Sequence, residues 1–288
     1  MFEFTTIADL VSKAEGTKRN ISEIVWLRES EQSGQAAAQV WQEMQSRLEI
    51  IRDSARSGLE RKEKTFNGLV GGDAYRMAHS DQLLGTTVSR AVAYALGVSE
   101  VNADMGKIVA CPTAGSCGIV PGAILATGDF LTCSDEVLVR ALFTAAGIGT
   151  VIAQNASVAG AIGGCQAECG SAAAMAAGAV VEMMGGTPKR ISEAVALTLK
   201  NLLGLVCDPV AGLVEVPCVK RNGFAAAYAL VGAQMALSGI ESVIPADEVI
   251  LAMHQIGLAM PASLKETSEA GLAKTSTALS IAARILKQ

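Results

Sequence analysis

Apolar positions recur along the first part of the chain with helical spacing. Val40, Met44, Leu48, Ile51, Ala55 and Leu59 are separated by 4, 4, 3, 4 and 4 residues, which places them on one face of a single long amphipathic helix. The run Gly68-Leu-Val-Gly-Gly-Asp73 supplies turn chemistry that ends this region. Further on, Ser192 is expected to cap a helix carrying Ala194, Leu197 and Leu199 that stops at Gly204. Pro245-Ala-Asp-Glu opens another helix, and Gly271 to Leu286 forms the last. No run alternates with the period of two that a half-buried strand shows, and no strand–helix–strand rhythm, internal repeat or low-complexity linker appears. The pattern predicts an all-α protein built as a single helical domain over 1–288, with buried Ala/Gly-rich central helices. Only "GKIVACPT" (106–113) leaves room for a short strand or two.

Charge divides the chain unevenly. Residues 1–67 carry 21 charged side chains and residues 105–186 carry seven, so a solvated helical front (1–67) precedes a more buried core (68–288). Between Arg140 and Glu168 there are 27 residues without a charge, enough in length for a membrane helix. Gln154, Asn155 and Ser157 interrupt that stretch, Gly163-Gly164 breaks its end, no aromatic belt flanks it, and no second comparable span accompanies it. The expectation is a buried helix of a soluble protein.

The formal net charge of −5 and pI near 5.2 argue against a nucleic-acid-binding face. The amino-terminal "MFEFTTIADLVSKAEG" lacks the basic start and apolar run of a secretory signal. Seven cysteines, an odd number in a long chain, do not resemble a disulfide scaffold. A cytoplasmic protein with reduced thiols is expected.

The cysteines differ in their surroundings. Cys165 follows two glycines at a loop-to-helix junction, Cys207 follows a helix stop and precedes Asp208-Pro209, and Cys218 follows Pro217. Loop thiols beside glycine or proline can be aimed at a common centre, whereas free cysteines elsewhere usually pack as small hydrophobes. Cys111, Cys117, Cys133 and Cys169 are expected to be non-ligands. Spacing by itself decides no metal: the close Cys-x-x-Cys pairs of structural zinc sites and the ferredoxin run are both absent. Cys165 and Cys169 stand at i, i+4 and fit a shared helix face or an ordinary core equally well.

Three blocks, "CPTAGSCGIVPG" (111–122), "NASVAGAIGGCQAECGSAAAMAA" (155–177) and "CDPVAGLVEVPCVKRN" (207–222), occur in an order and at separations that resemble the iron–sulfur-dependent bacterial L-serine dehydratases. The resemblance is to their alpha chain, or to the alpha domain of single-chain members. It runs from about Val101 to the end and more weakly through "GLVGGDAYRMA" (68–78). It implies that Cys165, Cys207 and Cys218 hold a 4Fe-4S cluster whose fourth iron is open to act as a Lewis acid on a substrate hydroxyl. Lys220 and Arg221 would then offset negative charge on the cluster. It also implies β-elimination of L-serine to pyruvate and ammonia without pyridoxal phosphate, a step of amino-acid degradation that feeds gluconeogenesis.

Some single-chain members end in a cysteine tail and carry an amino-terminal beta domain with a Ser-Ser-Ser-His-Thr type of motif. This sequence ends "AARILKQ" and has no such motif, as expected of a two-chain enzyme with a separate beta chain. A catalytic histidine would then lie on the partner.

"PTAGSCG" (112–118) resembles a phosphate loop only weakly, because Gly-Lys-Ser/Thr is missing. A helix starting near Ser116 would present backbone N–H groups, and Thr113 and Ser116 are read as helping them bind the serine carboxylate. His79 and His254 are the only histidines. With Lys107 they are candidates for a general base, which the residues leave unassigned. The alternatives kept open are an iron–sulfur L-cysteine desulfidase of similar helical fold and a helical protein with a non-catalytic metal cluster.

Overall fold

The computed structural model describes residues 2–285. In chain order the helices are α1 (Ile7–Thr17), α2 (Ile21–Ser33), α3 (Ala37–Glu60), α4 (Asp73–Ala78), α5 (Gly85–Ala103), α6 (Ile119–Leu131), α7 (Asp135–Asn155), α8 (Gly160–Gly163), α9 (Ser171–Met183), α10 (Pro188–Lys200), α11 (Cys218–Leu237), α12 (Ala246–Ala259) and α13 (Ser276–Ile285). No strand forms among the described residues, and the fold is all-α as the hydrophobic pattern requires. The spine is α9. Its alanines at 172, 173, 174, 176, 177 and 179 are fully buried, and α6, α7, α10 and α11 surround it. Small side chains on every face let four neighbours approach a single helix, which explains why α9 has no polar side.

The long helix α3 buries Val40, Leu48, Ile51 and Ala55 and half-buries Met44 and Leu59, the stripe read from its spacing. It packs on α5 and, with α2, on α7. There Trp26 meets Trp41 edge-on at 5.0 Å, and Phe143 lies 5.9 Å from Trp41. The charged front is tied to the far end of the chain. Asp247, in the first turn of α12, accepts the N–H groups of Ile7 (2.7 Å) and Ala8 (3.0 Å) at the start of α1. It satisfies backbone donors that the helix itself leaves unpaired.

Several local expectations are corrected. Helix α10 starts at Pro188 rather than at Ser192: the Thr187 hydroxyl accepts from Arg190 N at 3.3 Å, and proline occupies the first turn. Thr-Pro out-competes Ser192 because proline presets the helical φ where its missing N–H costs nothing. The 106–113 stretch contains no strand; the described residues hold one isolated bridge, between Cys207 and Lys265. An extended segment without a partner gains no ladder bonds. The last helix is broken at Thr275, whose ψ of 152° separates a short 3-10 turn, Gly271–Lys274, from α13. Leu286 and the final residues lie outside those described. A second apolar span also exists. Ala114–Leu131 and Asp135–Asn155 are each long and apolar enough to cross a membrane, and 72% and 67% of those windows are buried within the fold.

Candidate active site

Three loops bring the chemistry together. The first carries Cys165. Gly164 has φ of 75° and ψ of −178°, a conformation open essentially to glycine alone. A Cβ there would stand 2.7 Å from Met260 Sδ and 3.0 Å from the Leu205 carbonyl. Gly164→Ala is therefore expected to destabilise the chain by about 1–3 kcal/mol, read as a lowered denaturation midpoint at constant slope; an unchanged midpoint would refute the strain argument.

After Cys165 the chain makes one π-helical turn, Gln166–Gly170, before α9 begins. Such turns interrupt the ordinary register and often sit at functional sites. Gln166 is fully buried and pins the turn: its side-chain N–H donates to Met253 O (3.0 Å), its Oε1 accepts from Gly204 N (2.9 Å), and its backbone N–H donates to Leu205 O (2.9 Å).

The second loop runs from Cys207 to Pro217. Cys207 N donates to Leu264 O and Cys207 O accepts from Glu266 N. Buried Asp208 accepts from Arg221 Nη2 (2.9 Å) and Leu272 N (2.8 Å), and buried Glu215 accepts from Thr65 Oγ1 (2.6 Å) and Asn67 Nδ2 (2.7 Å). These bonds hold an otherwise irregular segment against α11, whose first residue is Cys218.

The third loop is 111–118. Asn222, one turn into α11, accepts from Gly118 N (2.9 Å) and donates to the carbonyls of Gly115 (2.8 Å) and Cys218 (2.9 Å). One buried amide thus fixes the third loop to the cysteine that starts α11.

Glu168 stands where the loops meet. Its Oε1 accepts from Thr113 Oγ1 at 2.9 Å, and Cys207 Sγ approaches its Oε2 at 3.9 Å, a weak contact. Burial, chiefly, holds its carboxyl above the ordinary range. Cys165 and Cys169 lie 3.3 Å apart, sulfur to sulfur. The bond from Cys169 lowers the Cys165 thiol, which the Arg221 guanidinium also favours, while the same bond and burial push Cys169 up. Burial raises Cys207, and it raises Cys218 to about 12; each also feels the charge of Cys165 and of Glu168.

Cys165, Cys207 and Cys218, distant in sequence, thus come within electrostatic reach of one another. Among the described residues no three Cys, His, Asp or Glu side chains converge tightly enough to share one metal ion. The donor set, thiols on two loops and at the start of α11 beside an arginine, suits a soft cluster rather than a single hard ion.

Of the remaining candidates, Cys169, Thr113 and Ser116 lie at the site and the others are dispersed. Cys111 lines a cavity of about 520 Å³ between α2, α3 and α7. Cys117 is fully buried, Cys133 is half-buried just beyond α6, and burial raises both thiols. Cys169 lies in the site, against Cys165. His79 is exposed and stacks on Tyr75 at 4.1 Å. His254 lines a small crevice with Ile162 and Ala167, and Lys107 is exposed. Lys220 turns to Asp73, so Arg221 is the member of the basic pair that faces the thiols. Thr113 and Ser116 bond each other at 3.0 Å, and Ser116 is fully buried. The turn at 114–116 is a single 3-10 turn, and the helix proper begins at Ile119.

Residue reasoning gave Glu168, Gln166 and Asn222 no role. The available signal was polar residues inside blocks that are otherwise small and apolar, "GCQAECG" and "CVKRNG".

The fold is thus a helical domain that sets Cys207 beside the Glu168 carboxylate, three residues after Cys165, and starts the helix carrying Arg221 at Cys218. The family model for the serine dehydratase alpha chain matches residues 16–273. A probable L-serine dehydratase alpha chain of Bacillus subtilis (strain 168) is 48% identical over 278 residues, covering 95% of this chain and 92% of the relative. The L-serine dehydratase alpha chain of Peptoniphilus asaccharolyticus is 41% identical over 272 residues, 93% of each chain. L-serine dehydratase 2 of Escherichia coli (strain K12) is 35% identical over 291 residues, 94% of this chain but 62% of that longer protein. The chain belongs to the serine dehydratase alpha chain family.

Proposed function

We propose that the protein is the alpha chain of an L-serine ammonia-lyase, acting in the cytoplasm with a separate beta chain. Serine loses its α proton and its hydroxyl, and the aminoacrylate that forms takes up water to give pyruvate and ammonia. The observation that supports this reading is that the Cys165 turn, through Glu168, touches both Thr113 of the 113–118 turn and Cys207, in a chain whose relatives bear the name L-serine dehydratase. These three residues would hold a 4Fe-4S cluster. When bound, it supplies a Lewis acid that makes the hydroxyl a better leaving group.

The chain's own residues prepare the site. Arg221 brings positive charge to the thiols and is itself anchored by Asp208 and by the Val206 carbonyl, 2.9 Å from Nη1. Asn222 and the Thr113–Ser116 bond shape the 113–118 turn. The N–H groups of Ala114 and Gly115 there have no partner among the described residues and are offered to the substrate carboxylate. Thr113→Ala with Ser116→Ala is expected to raise KM for serine about tenfold or more, the loss of roughly one charge-assisted contact, with iron content unchanged. An unchanged KM would refute this assignment.

A beta chain completes the enzyme. Two relatives are named as alpha chains, and the chain spans only 62% of the Escherichia coli protein. The deciding assay mixes the reconstituted chain with a candidate beta chain and compares pyruvate formed from serine with sulfide released from cysteine. Sulfide from cysteine with no pyruvate from serine would replace the proposal with a desulfidase.

A further inference from the structure

We infer that Glu168 recognises the α-ammonium group of the substrate and so makes the site selective for α-amino acids. The inference rests on the serine dehydratase reading. Glu168 follows Cys165 by three residues on the π-helical turn, and its carboxylate lies between that loop, Cys207 and the 113–118 turn. Its hydrogen-bond partners, the Thr113 hydroxyl and the Cys207 thiol, bring no positive charge. Among the described residues no ion pair includes it, and the charged side chain that acts on it is Glu266, of the same sign. Arg221 is already committed to Asp208 and to the Val206 carbonyl.

The chain's backbone closes in on this carboxylate from two sides. A Cβ at Gly160 would stand 2.6 Å from Oε2, and one at Gly115 would stand 3.0 Å from Oε1. A half-buried carboxylate beside thiols, with no cation of its own, is unfavourable until a counter-charge arrives. The substrate carries one. An ammonium group has three donors and no acceptor, so a carboxylate is its strongest partner, and Glu168 stands against Thr113 and Cys207 with its charge uncompensated. A hydroxy acid of the same shape brings no such charge.

Calorimetric titration of the anaerobically reconstituted chain together with its beta chain tests this with two unreactive probes, iron per chain being measured alongside. L-alanine keeps the ammonium group and lacks the leaving group, whereas 3-hydroxypropanoate keeps the hydroxyl and lacks the amino group. Glu168→Gln is expected to bind L-alanine about 10–100-fold more weakly, the worth of a hydrogen-bonded charge contact. Its binding of 3-hydroxypropanoate and its iron should be unchanged. Equal loss of both probes, or undiminished L-alanine binding, overturns the assignment and leaves the serine dehydratase reading standing. A wild-type chain that binds neither probe also overturns it, and absence of iron in that chain removes the parent reading as well. Should Glu168→Gln fail to load iron, Glu168→Asp, which keeps the charge, takes its place: selective weakening of L-alanine supports the assignment and equal weakening of both probes refutes it.

Discussion

Cys207→Ser, reconstituted anaerobically, is expected to lose most of its iron and acid-labile sulfide and to drop serine turnover by about 10²–10³-fold or more, the worth of several kcal/mol of Lewis-acid stabilisation. Cys165→Ser and Cys218→Ser should behave alike, because removal of any one of three thiolates leaves a cluster without a full protein ligand set. Cys133→Ser is the control. It lies just beyond α6, half-buried and away from the three loops, and should keep the wild-type iron content. Cys169→Ser separates two roles. Cys169 bonds Cys165 at 3.3 Å, so its loss should alter how readily the Cys165 thiol ionises without removing a ligand. Iron and sulfide analysis reads all five variants. Four irons and four sulfides in the wild type, depleted in the three variants, are the expected result. Iron indifferent to Cys165, Cys207 and Cys218 would end the cluster proposal.

The second large effect concerns stability. Arg221→Met is expected to cost about 3–5 kcal/mol, the usual penalty for stripping the partner from a buried charge. The pair closes at 2.9 Å with side-chain exposures of 17% for Arg221 and 4% for Asp208. Burial works against the guanidinium charge, and the neighbouring Cys165 and Asp208 more than restore it. After the substitution Asp208 would keep Leu272 N as a donor but face no cation. Arg221→Met combined with Asp208→Asn should recover much of the loss, because the double replacement leaves no orphaned charge. Denaturant unfolding of the two singles and the double, treated as a cycle, measures the coupling. A single-variant loss below about 1 kcal/mol would place the pair in the class of solvated surface bridges.

These effects differ in how far residues alone pointed to them. The stripe on α3 was legible because a 3.6-residue period leaves the same mark wherever a helix lies on a core. The non-helical backbone before Cys165 and Cys218 was legible because glycine and proline mark it: Gly164 takes a φ of 75°, and Pro217 immediately precedes α11. The start of α10 was misplaced because two capping residues, Thr187 and Ser192, compete within five positions, and which of them wins depends on the residue that follows. The second apolar span was missed because 114–131 joins a 3-10 turn to α6, and no period runs through the junction.

The sequence by itself determined that this is a helical protein of the serine dehydratase alpha chain family, with a charged front, an alanine-rich spine and thiols on loops. Periodicity, small-residue content and turn chemistry are local properties, and they survive being read along one dimension. Only the tertiary structure decided that Gln166 and Asn222 are the amides tying loop to loop, that Arg221 rather than Lys220 faces the thiols, and that Glu168 stands among them without a cation. Each of these depends on partners 13 to 147 residues away. Burial, unlike periodicity, is set by everything that packs around a residue, and it determines whether a carboxylate is a solvated side chain or a site waiting for a cation.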